Sequence, residues 1–180
     1  MIHKLVKFDS FYYLCLRDLM WLQKIPTSDW TDYIVSHFER AGRHITDQMV
    51  TKICEAVDHY PSYVQHLASI ILNHTPQGET ATDQVLPSAI KELVSTNEAL
   101  YMQQIEPLSG YQMNLLRAIV SGIHSGYNEK KVRTQFDLGS PSNMVRLRNA
   151  LIERDIIYSE MRQLYITDPV FTLWFRQRFL

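Results

Sequence analysis

A chain of 180 residues, 46% hydrophobic and 21% charged, is long enough for one or two domains with a buried core and too apolar for extended disorder. The net charge of −1 divides unevenly: residues 1–106 carry 8 basic and 13 acidic side chains (net −5), residues 107–180 carry 10 and 6 (net +4), a modest asymmetry that fits an acidic and a basic piece with different partners and equally a solvated surface with none. Two cysteines, Cys15 and Cys54, are too few for a disulfide framework, the apolar run Phe11 to Leu22 is broken by Arg17-Asp18 and too short to span a bilayer, and no signal peptide is visible; the expectation is a cytoplasmic protein without a membrane role.

Residues 1–26 mix strand and helix formers and end at Pro26 without a complete pattern, which reads as the tail of another domain. From Ser28, a plausible N-cap, Trp30, Tyr33, Ile34, Val35 and Phe38 recur at helical spacing, with Gly42 just past the end. Thr46 can cap a second helix to Val57, with Met49, Val50 and Ile53 inward. A third follows Pro61 and places Tyr63, Leu67, Ile70, Ile71 and His74 on one side. After the turn-rich loop Thr75 to Thr80, a long fourth helix is expected from about Asp83 to Gln104, with Leu86, Ile90, Leu93, Asn97, Leu100 and Tyr101 as its stripe; Pro87 fits only in the first turn. Residues 27–106 therefore read as a small helical bundle.

Pro107 ends that unit. Ser109 and Gln112 have capping-box spacing and open a helix with Tyr111, Leu115, Leu116, Ile119 and Val120 inward. Asn128 can cap a short helix from Glu129 to Phe136. Ser140-Pro141 then has the cap-plus-proline form of a helix start, running to about Arg154. Ile156-Ile157-Tyr158 and Leu164-Tyr165-Ile166 read as two short strands, and Asp168-Pro169 begins a last helix with Val170, Leu173, Trp174, Phe175 and Phe179. The fold class expected is mainly α: a helical bundle, then a winged helix-turn-helix domain over 107–180 with a two-stranded wing.

In a helix-turn-helix the second helix can enter the DNA major groove. With Met144, Leu147, Ala150 and Leu151 on the core side, that helix shows Ser142, Arg146 and Asn149 outward, with Asn143 and Arg148 at the flanks. Arg and Asn are the side chains that read guanine and adenine edges. Lys130, Lys131 and Arg133 on the preceding helix, and Arg162 in the wing, are candidates for phosphate contacts. The opposite reading stands beside this one. Winged helices also serve as packing, protein-contact or autoinhibitory modules, net +4 is weak for a DNA binder, and Glu153 and Asp155 flank the face.

The turn His59-Tyr60-Pro61-Ser62-Tyr63-Val64-Gln65 resembles the proline-containing lid turn of archaeal-type and bacterial STAND/AAA+ P-loop ATPases. Residues 111–119, 136–143 and 168–174 resemble that family's C-terminal winged helix, and residues 8–25 the segment joining its ATPase core to the lid. The resemblance implies an AAA+ lid over residues 27–106, with Tyr60 and Pro61 nearest a nucleotide base. The chain departs from the family in having no G-x-x-x-x-G-K-[ST] phosphate loop, its six glycines being scattered, and no strand ending in paired acids for magnesium; Tyr13 stands where family members carry arginine. The expectation is a non-catalytic C-terminal fragment that does not hydrolyse ATP: it carries no cofactor of its own, and ATP or ADP with magnesium would need the missing core. Partners expected are duplex DNA, an ATPase core, or a second copy through exposed apolar surface.

The seven histidines show no zinc-ligand spacing, His59 and His66 included, so no metal site is expected. Cys54 lies on an apolar helical stretch and reads as a core residue; no nucleophile elbow marks a hydrolase. Phe171, Trp174, Phe175 and Phe179 have helical spacing and read as core.

Overall fold

The computed structural model describes the backbone of residues 11–15 and 18–22 and all of residues 24–180. The readings made for residues 1–10 and for the side chains up to residue 23, Cys15 included, lie outside the described residues. The chain divides between Thr96 and Asn97 into two compact units.

The first unit opens with an antiparallel hairpin, β1 (Phe11–Cys15) and β2 (Asp18–Leu22), in register from Phe11 opposite Leu22 to Cys15 opposite Asp18. This segment had no assignment from sequence. Three helices follow: α1 (Thr27–Arg40), α2 (Asp47–Ala56) and α3 (Pro61–His74). Each buries one stripe, as its periodicity requires. Trp30, Ile34 and Phe38 from α1 join Met49, Val50, Ile53 and Cys54 from α2 and Val64, Leu67, Ile70 and Ile71 from α3. Thr46 accepts from Met49 N at 3.2 Å and so caps α2 as its position suggests. Ser28 does not cap α1. The helix begins two residues earlier, behind Pro26, and the Ser28 hydroxyl turns to Asp29. Tyr33 is exposed rather than inward, as is His74, whose ring meets Glu92 at 2.7 Å. The loop after α3 is pinned by backbone bonds, Gly78 N to Gly42 O and Ala81 N to His44 O at 2.8 Å each.

Helix α4 (Val85–Ile105) contains the boundary between the units, with Pro87 in its first turn where a missing N–H costs nothing. Of the expected stripe Leu93 and Tyr101 are buried, together with Ala89, Val94 and Ile105, whereas Leu86, Ile90 and Asn97 are half-buried and Leu100 is exposed. Leu100 is 51% exposed because Tyr101, fully buried, takes the inward position, and neighbours in a helix stand about 100° apart.

The second unit adds α5 (Gly110–Val120), α6 (Lys130–Phe136), α7 (Pro141–Glu153), the hairpin β3 (Ile157–Glu160) and β4 (Gln163–Ile166), and α8 (Pro169–Phe179). The order is that of a winged helix. α5 is central, packing on α6, α7, α8 and β4. The capping box at Ser109 and Gln112 is complete in both directions. Leu115, Leu116, Leu138, Leu147, Leu151, Ile157, Leu164 and the aromatic side of α8 form the core. Leu164 N donates to His124 O at 2.8 Å, so the loop after α5 adds one ladder rung to the wing. No helix of the described residues is long and apolar enough to cross a membrane.

Candidate nucleic-acid interface

Local sequence aims α7. Asp137 takes the left-handed conformation at the end of α6 and Gly139 takes φ +72°, a value that favours glycine, so the chain reverses within four residues. Leu138, fully buried between them, anchors the turn. Pro141 stands at the first helical position, but Ser140 is not a side-chain cap: its hydroxyl meets that of Ser142 at 2.9 Å. α6 likewise begins one residue later than expected, with Glu129 rather than Asn128 at the N-cap position and no side-chain cap bond.

Met144, Leu147 and Leu151 seat α7 in the core, which turns Ser142, Arg146 and Asn149 to the surface. Arg148 is also exposed and Asn143 half-buried. The arginines are steadied by amides, not by carboxylates. The Arg146 guanidinium donates to Asn143 Oδ1 at 3.1 Å, and Arg148 reaches Asn149 Oδ1 through two long contacts of 3.4 Å. Lys130 and Lys131 are exposed on α6, and Arg162 on the wing. The ion pairs among the described residues lie elsewhere: Lys24 with Asp58, Lys52 with Asp83, His74 with Glu92, and Arg178 with Glu98. Where the six candidate groups of α7 and the wing bond, they bond to one another or to Ser140, and among the described residues none meets a carboxylate, although Glu129, Asp137, Glu153, Asp155 and Glu160 are also exposed nearby in sequence.

Arg133 differs from its lysine neighbours. It is half-buried, donates to the carbonyl of Gly139 at 3.3 Å, and leaves its Nε buried without a partner. It braces the α6–α7 turn, so the lysines are the free cations of α6.

Two recesses border the face. One lies at the start of α7 between Tyr111, Gly139, Ser142, Asn143 and Arg146. The other lies between α7 and the wing and brings Val145 and Arg148 together with Ser159 and Arg162. Three features here escaped sequence reasoning. Val145 is 55% exposed on the outward face, and its spacing of three from Ser142 and four from Asn149 could have found it. The wing turns through Met161 and Arg162, both with positive φ (45° and 66°) and neither a glycine, and Met161 is 91% exposed. Behind them His124, Tyr165 and Tyr158 form a stack with centroid spacings of 4.7 and 5.4 Å. Tyr127 is held under the recess by donating to Ile123 O at 2.5 Å, and burial, with the Tyr165 phenol nearby, raises its pKa.

The candidate lid residues belong to the first unit. Tyr60 precedes Pro61, the first residue of α3, and its ring lies 5.8 Å from that of Tyr63. The two residues before it, Asp58 and His59, both have positive φ (49° and 56°), and Asp58 pairs with Lys24 at 2.9 Å. Among the described residues no group of histidine, cysteine and acidic side chains is arranged to hold a metal ion.

Residues 99–177 match the family described as a probable winged helix domain. The chain is also similar in fold to a Walker-type ATPase of Pyrococcus abyssi, with a TM-score of 0.66 at 17% identity over 86% of this chain. It spans 43% of the length of that ATPase. No curated protein matches the chain. The resemblance to the winged-helix end of an archaeal-type ATPase is therefore borne out at the level of fold.

Proposed function

We propose that this chain is the non-catalytic C-terminal part of a STAND/AAA+ P-loop ATPase, working in the cytoplasm, and that its winged helix binds duplex DNA. The observation that carries the DNA reading is the grouping of five exposed cations with base-reading side chain types on α6, α7 and the wing. Arg146, Arg148, Lys130, Lys131 and Arg162 are exposed cations grouped on α6, α7 and the wing, and among the described residues none has a carboxylate within pairing distance, whereas Lys24, Lys52 and Arg178 do. An unpaired cation is free to displace counterions from phosphate, and the base-reading types on α7 are free to meet base edges.

The fragment reading rests on the shared fold with 43% of a Walker-type ATPase and on the lack of a phosphate-loop motif in this sequence. In that reading residues 27–106 are the lid, Tyr60 and Pro61 face the base of a nucleotide held by a separate core, and the chain alone turns over no ATP. A phosphate-release assay on the purified chain tests this; turnover that follows the protein through purification overturns it.

The DNA reading is tested by fluorescence anisotropy with a random-sequence duplex at two salt concentrations. Binding that weakens steeply with salt is expected, and binding that is absent at low salt removes the reading. A second reading, a protein-contact or autoinhibitory module, is favoured by a different observation: Leu100, Met102 and Tyr111 are large, exposed and apolar within the second unit.

A further inference from the structure

The outward stripe of α7 contains one apolar member. Ser142, Val145 and Asn149 follow each other at spacings of three and four, the spacing of one edge of a helix, and Arg146 stands beside them. Val145 is 55% exposed, while the core side of the same helix is filled by Met144, Leu147 and Leu151. The valine therefore adds little to the core, and as a β-branched residue it adds little to the helix. It sits where the α7 face meets the recess shared with Arg148 and Arg162. An apolar group in the middle of a hydrogen-bonding stripe needs an apolar counterpart in whatever the stripe meets. The major-groove edge of DNA offers one, the C5-methyl of thymine, and no other base carries it.

We infer that Val145 is a specificity-determining residue that reads a thymine methyl while Asn149, one turn further on, reads an adenine. This rests on the DNA-binding reading above. The long 3.4 Å contacts between Arg148 and Asn149 are exposed, so the Asn149 amide can exchange them for the adenine edge. Four residues of helix advance about 6 Å. Base pairs are spaced by roughly 3.4 Å. The thymine and the adenine therefore lie within about two base-pair steps of each other, so the preferred site contains an A/T-bearing core and is not a G·C run.

The test begins with selection from a randomised duplex pool, followed by replacement of the enriched thymine with deoxyuridine, which deletes the methyl and keeps the pairing. The native chain is expected to lose affinity by about three- to fivefold on the uracil duplex, the factor that one buried methyl supplies. Val145→Asn, which replaces the apolar group by a polar one of similar size, is expected to bind the thymine and uracil duplexes equally, with native circular dichroism, since the side chain is exposed. Equal binding of both duplexes by the native chain overturns the inference and leaves the DNA reading standing. A loss on uracil that persists in Val145→Asn also overturns it, by assigning the methyl contact to another residue. Failure to bind any duplex at low salt overturns the DNA reading and this inference together.

Discussion

The hydroxyl of Tyr101 donates to Asp168 Oδ2 at 3.0 Å, across 67 positions of sequence, while the other oxygen of the same carboxylate accepts from the amides of Val170 and Phe171. One side chain thus caps α8 and fixes it to the end of α4. The Tyr101 ring completes the junction, lying 5.3 Å from Phe171 and 5.4 Å from Trp174.

Removing the parts of this junction separately should rank them. Tyr101→Phe keeps the ring and loses a bond to a charged acceptor, a cost of about 1–2 kcal/mol. Asp168→Ala loses the cap as well and should cost about 2–3 kcal/mol. Urea denaturation of both variants checks the order; an Asp168→Ala no worse than Tyr101→Phe would mean that the cap adds nothing.

Helix starts that look alike in sequence should respond differently. Thr46→Ala removes a made cap bond and should cost about 1 kcal/mol. Ser140→Ala, where the cap bond is not made, should stay within about 0.5 kcal/mol. Leu151→Ala, fully buried in the winged-helix core, should cost about 2–5 kcal/mol. Thermal melts of the three distinguish a real cap from the appearance of one.

This contrast marks where the sequence was informative. Thr46, Ser109 with Gln112, and Asp168 form the expected caps because capping is decided within three or four residues. Ser140 has the right type at the N-cap position, yet its hydroxyl meets that of Ser142, and Ser28 falls inside α1, whose N-cap position is taken by Pro26. In α4 periodicity alone did not separate Leu100 from Tyr101, since both are apolar and adjacent, and only the pocket formed by Phe171 and Trp174, distant in sequence, selects the tyrosine. On the candidate face, exposure of Ser142, Arg146 and Asn149 followed from the buried Met144–Leu147–Leu151 row. The inward commitment of Arg133 did not, because it depends on the carbonyl of Gly139 across a turn.

If the face meets DNA, its cations should sort by role. Lys131→Ala should weaken binding to a selected site and to random duplex alike and lower the salt slope by about one counterion. Arg146→Ala should weaken the selected site more than the random one, by about 1–3 kcal/mol of discrimination. Arg133→Ala should appear mainly in the melting temperature. Equal losses on both duplexes from all three would reduce the face to a non-specific phosphate contact.

Burial, and after it the negative charge of Glu55, pushes the Cys54 thiol up to about 11 from an ordinary 9.0. The folded chain holds this proton more tightly than the unfolded chain. Its contribution to stability is therefore complete below pH 9.0 and is lost as pH rises towards about 11. A Cys54→Ala variant should show a flatter decline in stability over that range. In a Cys15→Ser background, the native protein at neutral pH should react with a thiol reagent only as fast as it unfolds.

The wing tip gives the molecule a built-in chemical marker. A thioether that is 91% exposed meets dissolved peroxide freely, whereas those of Met49 and Met144, at 1% and 6%, are shielded by the core. Among the described methionines, mild oxidation should therefore convert Met161 to its sulfoxide first, ahead of the 38% exposed Met102, adding one oxygen to the wing peptide before the fold is disturbed. Anything that settles over the wing will slow that one reaction and leave the slower oxidation of the core methionines unchanged, so the tip reports occupancy by mass alone, whether the visitor is a nucleic acid or another protein.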